Sequence, residues 1–174
     1  MPTEKDTMRN GELYDASDPE LAAAHEHAHA LTRRYNRTTA DEADRRRDLL
    51  GSHGDPCAIE PPFRCDYGSN IHVGDGLAVN FDCVILDVCR VEIGDDCLIG
   101  PGVHIYTATH PVDPGERASG LEYGKPVSLG DDVWIGGHAT INPGVTVGDD
   151  TVISSAAVIT EDARESSLEA TRQR

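Results

Sequence analysis

His110 stands where a regular aliphatic pattern breaks off. It closes the stretch VHIYTATH, residues 103–110, and is followed by Pro111 and by PVDPGERASGLEYGKP, a run rich in turn formers. Binding and reacting groups sit disproportionately on loops carried by rigid frameworks. A histidine with framework on one side and loop on the other is therefore the leading candidate for chemistry, and imidazole suits proton transfer because it titrates close to neutral pH. His25, His27 and His29 invite a metal, but alternate residues of a helix point apart, and no metal is expected there. The five cysteines (Cys57, Cys65, Cys83, Cys89 and Cys97) are odd in number and include no CxxC spacing. That pattern fits a reducing, cytoplasmic compartment rather than a disulfide scaffold.

The framework that His110 interrupts has a period of six. Written in sixes, the chain reads VGDGLA, VNFDCV, ILDVCR, a slip of two residues, then IGDDCL, IGPGVH, IYTATH; after the loop come LGDDVW, IGGHAT, INPGVT, VGDDTV, ISSAAV and ITEDAR. Every hexad leads with an aliphatic residue, from Val73 to Ile159. A strand, a corner and the next strand return the chain to one orientation every six residues, so three hexads complete a triangular coil whose lead residues stack inward. Small residues in the fifth place (Cys97, Val103, Thr109, Val133, Ala139) fit beside them, and Gly in the second place (Gly74, Gly94, Gly100, Gly130) eases the corner. Cys83 and Cys97 fall on inward places and read as core packing.

Residues 1–55 form a separate helical segment. Asp18 caps and Pro19 opens a helix with Leu21, Ala24, Ala28, Leu31 and Tyr35 on one face. Thr39 and Glu42 form a capping box for a second helix ending at Gly51. Residues 56–163 are the coil, with an excursion at 111–126, and 164–174 a divergent tail.

Composition narrows the partners. A net charge of −16, from 31 acidic and 15 basic residues, disfavours nucleic acid and anionic membranes, which need neutralising cations. The paired acids Asp95-Asp96, Asp131-Asp132 and Asp149-Asp150 read as turn-borne solvation of a halophilic surface. The N-terminus has no apolar signal-peptide core, and no run of about 18 apolar residues spans a membrane.

Several strings go beyond the hexads: GELYDA near the start, RYN at 34–36, IEPPFRCDYGSNIHVG from Ile59, NFDCVILDVC from Asn80, GVHIYTATHPVDP from Gly102 and GKPVSLGDDVWIGGHATINPGVTVGDD from Gly124. On these, the chain resembles the maltose and galactoside O-acetyltransferases over residues 8 to about 162. The resemblance implies an all-β solenoid, a left-handed parallel β-helix assembled as a homotrimer with active sites between subunits, and acetyl-CoA as co-substrate. It implies that His110 is a general base and that Asn80, also catalytic, contacts the acceptor sugar and helps to stabilise the transition state. The Gly137 N–H would meet the oxyanion, Trp134 would wall the pantetheine arm, and Ser155 and Thr160 would contact the coenzyme. Acceptor contacts fall on Asp66, Asp87 and, as a substitute for an acid that aligns with Ala16, Asp15 or Asp18. Val88 replaces a second aspartate beside Asp87, and His25 replaces an arginine. Glu161 replaces a lysine at the tail, where a last coil is absent. Two readings of other classes stand beside this one. The first is a non-catalytic hexapeptide-repeat scaffold with a decayed coenzyme site. The second is a metal enzyme like the γ-carbonic anhydrases, for which His104, His110 and His138 lack the context.

Overall fold

A computed structural model describes residues 2–38 and 48–163, and the backbone of Leu168–Glu169. Each hexad lays down one short strand and then turns. Cys57–Ile59 opens a first face, Phe63–Cys65 a second and Ile71–Val73 a third. Leu77–Val79 is back on the first face, paired in parallel with Cys57–Ile59. Continued to the end, this gives six strands on the first face, five on the second and four on the third. The chain is thus a parallel β-helix, a triangular prism whose axis runs across the strands.

The six-residue pattern explains the interior. All twelve lead aliphatics are buried, Ile135 and Ile141 completely, and each such side chain removed from water contributes roughly 1.5–3 kcal/mol. Cys83 and Cys97 are buried and free, as inward packing requires. Burial drives the Cys97 thiol up to about 11.

The glycines and acids at the edge between the third and first faces have a different reason from the one the pattern suggests. Asp75 Oδ1 accepts from the Asp55 N–H at 2.8 Å, Asp95 Oδ1 from the Asp75 N–H at 2.8 Å, Asp131 Oδ1 from the Asp95 N–H at 2.8 Å and Asp149 Oδ1 from the Asp131 N–H at 2.9 Å. The carboxylate of each coil therefore ties down the backbone of the coil before it. Gly74, Gly94 and Gly130 are required because that carboxylate occupies the space of a Cβ, which would lie 2.1, 2.2 and 2.0 Å from its oxygen. Corner easing falls instead to the second acid of each pair: Asp96, Asp132 and Asp150 adopt φ of 52–55°, a left-handed conformation that Asp tolerates better than most residues. Stacked carboxylates repel one another by about 0.9 kcal/mol at a strand spacing of about 4.8 Å in water. Hydrogen bonds to a charged group contribute about 1.5–3 kcal/mol, so the column is net stabilising.

The N-terminal segment closes the first coil. A short helix, α1 (Glu4–Arg9), not foreseen from the sequence, is opened by a Thr3–Asp6 capping box. Helix α2 (Pro19–Tyr35) begins as its sequence indicates, with Asp18 Oδ1 accepting from the Glu20 N–H at 2.9 Å. At its far end Asn36 satisfies the open edge of the second face: Nδ2 donates to Phe63 O and Oδ1 accepts from Phe63 N, both at 2.9 Å. Tyr35 donates to Ile59 O. The helix expected from the Thr39–Glu42 box lies outside the described residues.

The excursion begins earlier than the aliphatic pattern indicates. Ala108–Thr109 pairs antiparallel with Leu121–Gly124, and Tyr14–Asp15 adds a third strand. Thr109 is consequently half-buried in this hairpin rather than inward in the fifth place. Thr107 is the buried residue, donating from Oγ1 to Leu86 O at 2.7 Å, and the Lys125 N–H returns to Thr107 O at 2.9 Å. A four-residue helix, α3 (Pro114–Arg117), lies within the excursion. At the other end the last coil is not wholly absent, because Leu168–Glu169 pairs in parallel with Val152–Ile153. Among the described residues, no helix is long and apolar enough to cross a membrane.

The two acids of a corner pair are expected to separate under mutation. Asp131→Ala should lower unfolding free energy by about 1–2 kcal/mol through loss of the Asp95 tie, whereas Asp132→Gly, which suits a positive φ, should stay within about 0.5 kcal/mol of the parent. Urea unfolding of both variants provides the measurement.

Candidate active site

The edge between the first and second faces carries three of the residues singled out from the sequence. Its corners are tied vertically, with Gly102 N donating to Phe81 O at 2.9 Å, His138 N to Pro101 O at 2.8 Å and Ala156 N to Gly137 O at 2.9 Å. Asn80 is exposed at this edge, its Oδ1 accepting from the Phe81 N–H at 2.9 Å, which leaves the side-chain NH2 to donate elsewhere. Two coils on, Gly137 approaches Pro101 so closely that a Cβ would lie 3.1 Å from its carbonyl oxygen. Among the described residues, the Gly137 N–H donates to no backbone carbonyl. Ser155 is exposed at the next corner. Trp134, just before the Gly137 corner, is 55% exposed beside Leu98, its partner in the strand ladder, at 52%. An indole so placed adds little to the core and forms an apolar wall on the first face.

The edge between the second and third faces carries the rest. Asp87 is completely buried. Its Oδ1 accepts from the N–H groups of Asp66 at 3.1 Å and Tyr67 at 2.9 Å, and its Oδ2 from the Asn70 N–H at 3.2 Å. Both carboxylate oxygens are thus engaged inside the corner, and the side chain holds Asp66 and Tyr67 in place rather than facing an acceptor. Burial raises its carboxyl to about 7, against the pull of those N–H donors. Val88 lies in a small apolar cluster with Met8, Tyr14, Leu21 and Cys89, which fastens α1, α2 and the Asp87 corner together.

His110 is exposed at the end of strand Ala108–Thr109, with Pro111 buried behind it. Arg117 steadies the start of the loop, donating from one guanidinium nitrogen to Pro111 O at 3.1 Å and Val112 O at 3.0 Å. Asp66 is half-buried below the hairpin and burial raises its carboxyl, with His25 pulling the other way. Asp15 is exposed, and its Oδ1 is bonded by the Ser17 N–H at 2.9 Å and hydroxyl at 2.6 Å. Thr160 is exposed one face away from Ser155.

Around Asp66 the structure gathers His25 and His29, where no metal is expected from the sequence, together with Tyr67 and Glu122, which the sequence did not mark. The alternate-residue argument disposes of His27 only. His25 and His29, four apart, share one face of α2, and their ring centroids are 4.0 Å apart. Glu122 reaches the same neighbourhood through the hairpin and accepts from the Tyr14 hydroxyl at 3.0 Å.

The two groups of residues do not meet in one chain. From Asn80 to Asp87 the polypeptide crosses the whole second face, a path of about 20 Å at strand rise. Asn80, Gly137 and Ser155 therefore lie on one edge of the prism, and His110, Asp66 and the hairpin on another.

A hexapeptide-built β-helix with a helical cap and one ejected hairpin defines a class, the hexapeptide-repeat acyltransferases. Residues 7–52 match the maltose acetyltransferase hexapeptide capping motif, and residues 126–161 match the bacterial transferase hexapeptide (six repeats). Nodulation protein L of Rhizobium meliloti (strain 1021) is 51% identical over 148 residues, 83% of this chain and 81% of that protein. The crystal structure of a maltose O-acetyltransferase from Clostridium difficile 630 superposes with a TM-score of 0.94 at 47% identity, over 96% of this chain and 91% of that one. A galactoside acetyltransferase in complex with coenzyme A gives a TM-score of 0.91 at 33% identity, over 97% and 86%. The chain belongs to the maltose and galactoside O-acetyltransferase family, and its β-helix is of the left-handed kind.

The buried acid makes stability depend on pH in a defined sense. A carboxyl whose pKa is about 7 when folded and near 4 when unfolded favours the folded state in its protonated form. Its contribution is complete below about pH 4 and is lost as pH rises towards about 7. Asp87→Asn, which turns an NH2 towards backbone donors, should be less stable than the parent, and the gap should narrow between those limits. Denaturant unfolding of both proteins across that range gives the test.

Proposed function

We propose that the protein transfers an acetyl group from acetyl-CoA to a hydroxyl of a sugar or similar acceptor, at sites shared between subunits of a homotrimer. The observation that carries this reading is the division of the site residues between two edges of the prism. A copy whose Asn80–Gly137 edge meets the His110 edge of its neighbour completes a cleft that neither has alone. The likeness to a coenzyme A complex over nearly the whole chain supports the donor.

In this cleft His110 takes the proton of the acceptor hydroxyl as that oxygen attacks the thioester carbonyl carbon. The tetrahedral oxyanion is received by the Gly137 N–H, which has no backbone acceptor among the described residues. Collapse breaks the C–S bond, and the proton held by His110 passes to the departing sulfur, giving the coenzyme thiol, the acetyl ester and a neutral imidazole. Asn80 orients the acceptor from its own edge, Asp66 and Asp15 from the other, and Asp87 acts indirectly by fixing the Asp66 corner. Trp134 walls the pantetheine arm, with Ser155 and Thr160 along the coenzyme path. Glu161 is exposed and places a negative charge near the same end.

Two measurements test this. His110→Ala should lower turnover by roughly 10²–10⁴-fold, the usual contribution of a positioned base, with thermal melting and oligomeric size unchanged. Co-assembly of His110→Ala with Asn80→Ala chains should recover activity that each variant lacks alone. Recovery fails if each subunit holds a complete site.

A further inference from the structure

Helix α2 carries two histidines four residues apart, and the coil beneath places a carboxylate against them. His25 and His29 have ring centroids 4.0 Å apart, and Asp66 Oδ1 lies 3.6 Å from His25 Nε2. One donor atom from each of the three residues lies within 4.8 Å of the other two. We propose that His25, His29 and Asp66 form a binding site for a divalent transition-metal ion of the zinc type.

The donor set defines the class of ion. Two imidazole nitrogens and one carboxylate oxygen suit zinc and its neighbours, whereas magnesium and calcium favour oxygen throughout. Ligands around a tetrahedral ion at bond lengths of about 2.0–2.1 Å lie about 3.3 Å apart, so side-chain rotations that draw the donors together by about 1.5 Å or less complete the shell. The backbone that carries the ligands is already fixed. Asp18 caps α2, Asn36 clamps its other end to Phe63, and Asp87 holds the Asp66 N–H.

Three protein ligands leave a fourth position. His29 and Asp66 also line a cleft of about 340 Å³, through which water or a small ligand reaches the ion. His25 and Asp66 side chains are 42% and 21% exposed, so the ion enters without unfolding. His27, between the two ligands in sequence, is exposed and outside the cluster. The inference rests on this ligand set and makes no use of the transfer reaction, so its failure leaves the proposed function standing.

The test is isothermal titration of the full-length, chelator-treated protein with zinc chloride, with magnesium chloride as control. Expected is one zinc site per chain that magnesium does not fill. His29→Ala and Asp66→Asn should each weaken zinc binding by about tenfold or more, and His27→Ala should leave it unchanged. Cobalt(II) should give the intense visible absorption of a four-coordinate ion in the parent and lose it in His25→Ala, a half-exposed position where truncation leaves the core intact. Thermal melting of the metal-free variants verifies folding. The proposal is overturned if no zinc binds, if zinc binds equally well to the parent and to His29→Ala and Asp66→Asn, or if His27→Ala removes binding as fully as they do.

Discussion

Each coil must sit one strand spacing above the last, about 4.8 Å, with every inward residue over its equivalent. This repeat distance governs the rest of the molecule. It selects aliphatic side chains that stack without polar partners, and it brings an aspartate carboxylate into the space where a glycine of the preceding coil lacks a Cβ. It also sets the terms on which a loop can be ejected. The chain leaves at Thr107 and returns at Lys125, joined by the Lys125 N–H to Thr107 O hydrogen bond. Val127–Leu129 then takes up its pairing with Val91–Ile93 as though nothing had intervened.

A triangular cross-section gives the repeat three edges, and in this protein they have diverged. The edge bearing Asp75, Asp95, Asp131 and Asp149 is structural, a column of charged acceptors for backbone donors. These acids read as surface solvation when only composition is considered, but their first members are bonded within the stack, a role that holds at any salinity. The edge bearing Asn80 and Gly137 presents exposed polar groups beside an exposed indole. On the third edge the regular corner has been rebuilt by the hairpin and by α1 and α2.

Asp87 joins fold to site. A fully buried carboxylate in an aliphatic coil is costly to ionise, and its retention is explained by the three N–H groups that would otherwise be orphaned at a corner too wide for a tight turn. Fixing that corner places Asp66 and Tyr67 under α2, and so determines where His25 and His29 find a partner. The neighbouring Val88 completes the apolar cluster under the hairpin, which is why an aliphatic residue serves there.

The sequence by itself determined the framework, since a six-residue period with an inward aliphatic admits one stacking solution and needs no long-range information. It also determined where α2 begins, through Asp18 and Pro19, and that the framework is broken within the stretch ending at His110, though not that the chain leaves it already at Thr107. Tertiary structure decided what the period could not express. Thr109 turns out of the coil because its strand pairs antiparallel with a segment 12–16 residues later. Gly94 is needed for a carboxylate 37 residues on, a relation invisible in local conformational preference. Asp87 and Asp66 are both acids near one corner, yet one is sealed inside by backbone donors and the other opens to a cleft, a difference set by the path of the chain rather than by residue type. The separation of Asn80 from His110 is likewise a property of the prism: residues 30 apart in sequence occupy different edges because each strand carries the chain across a whole face.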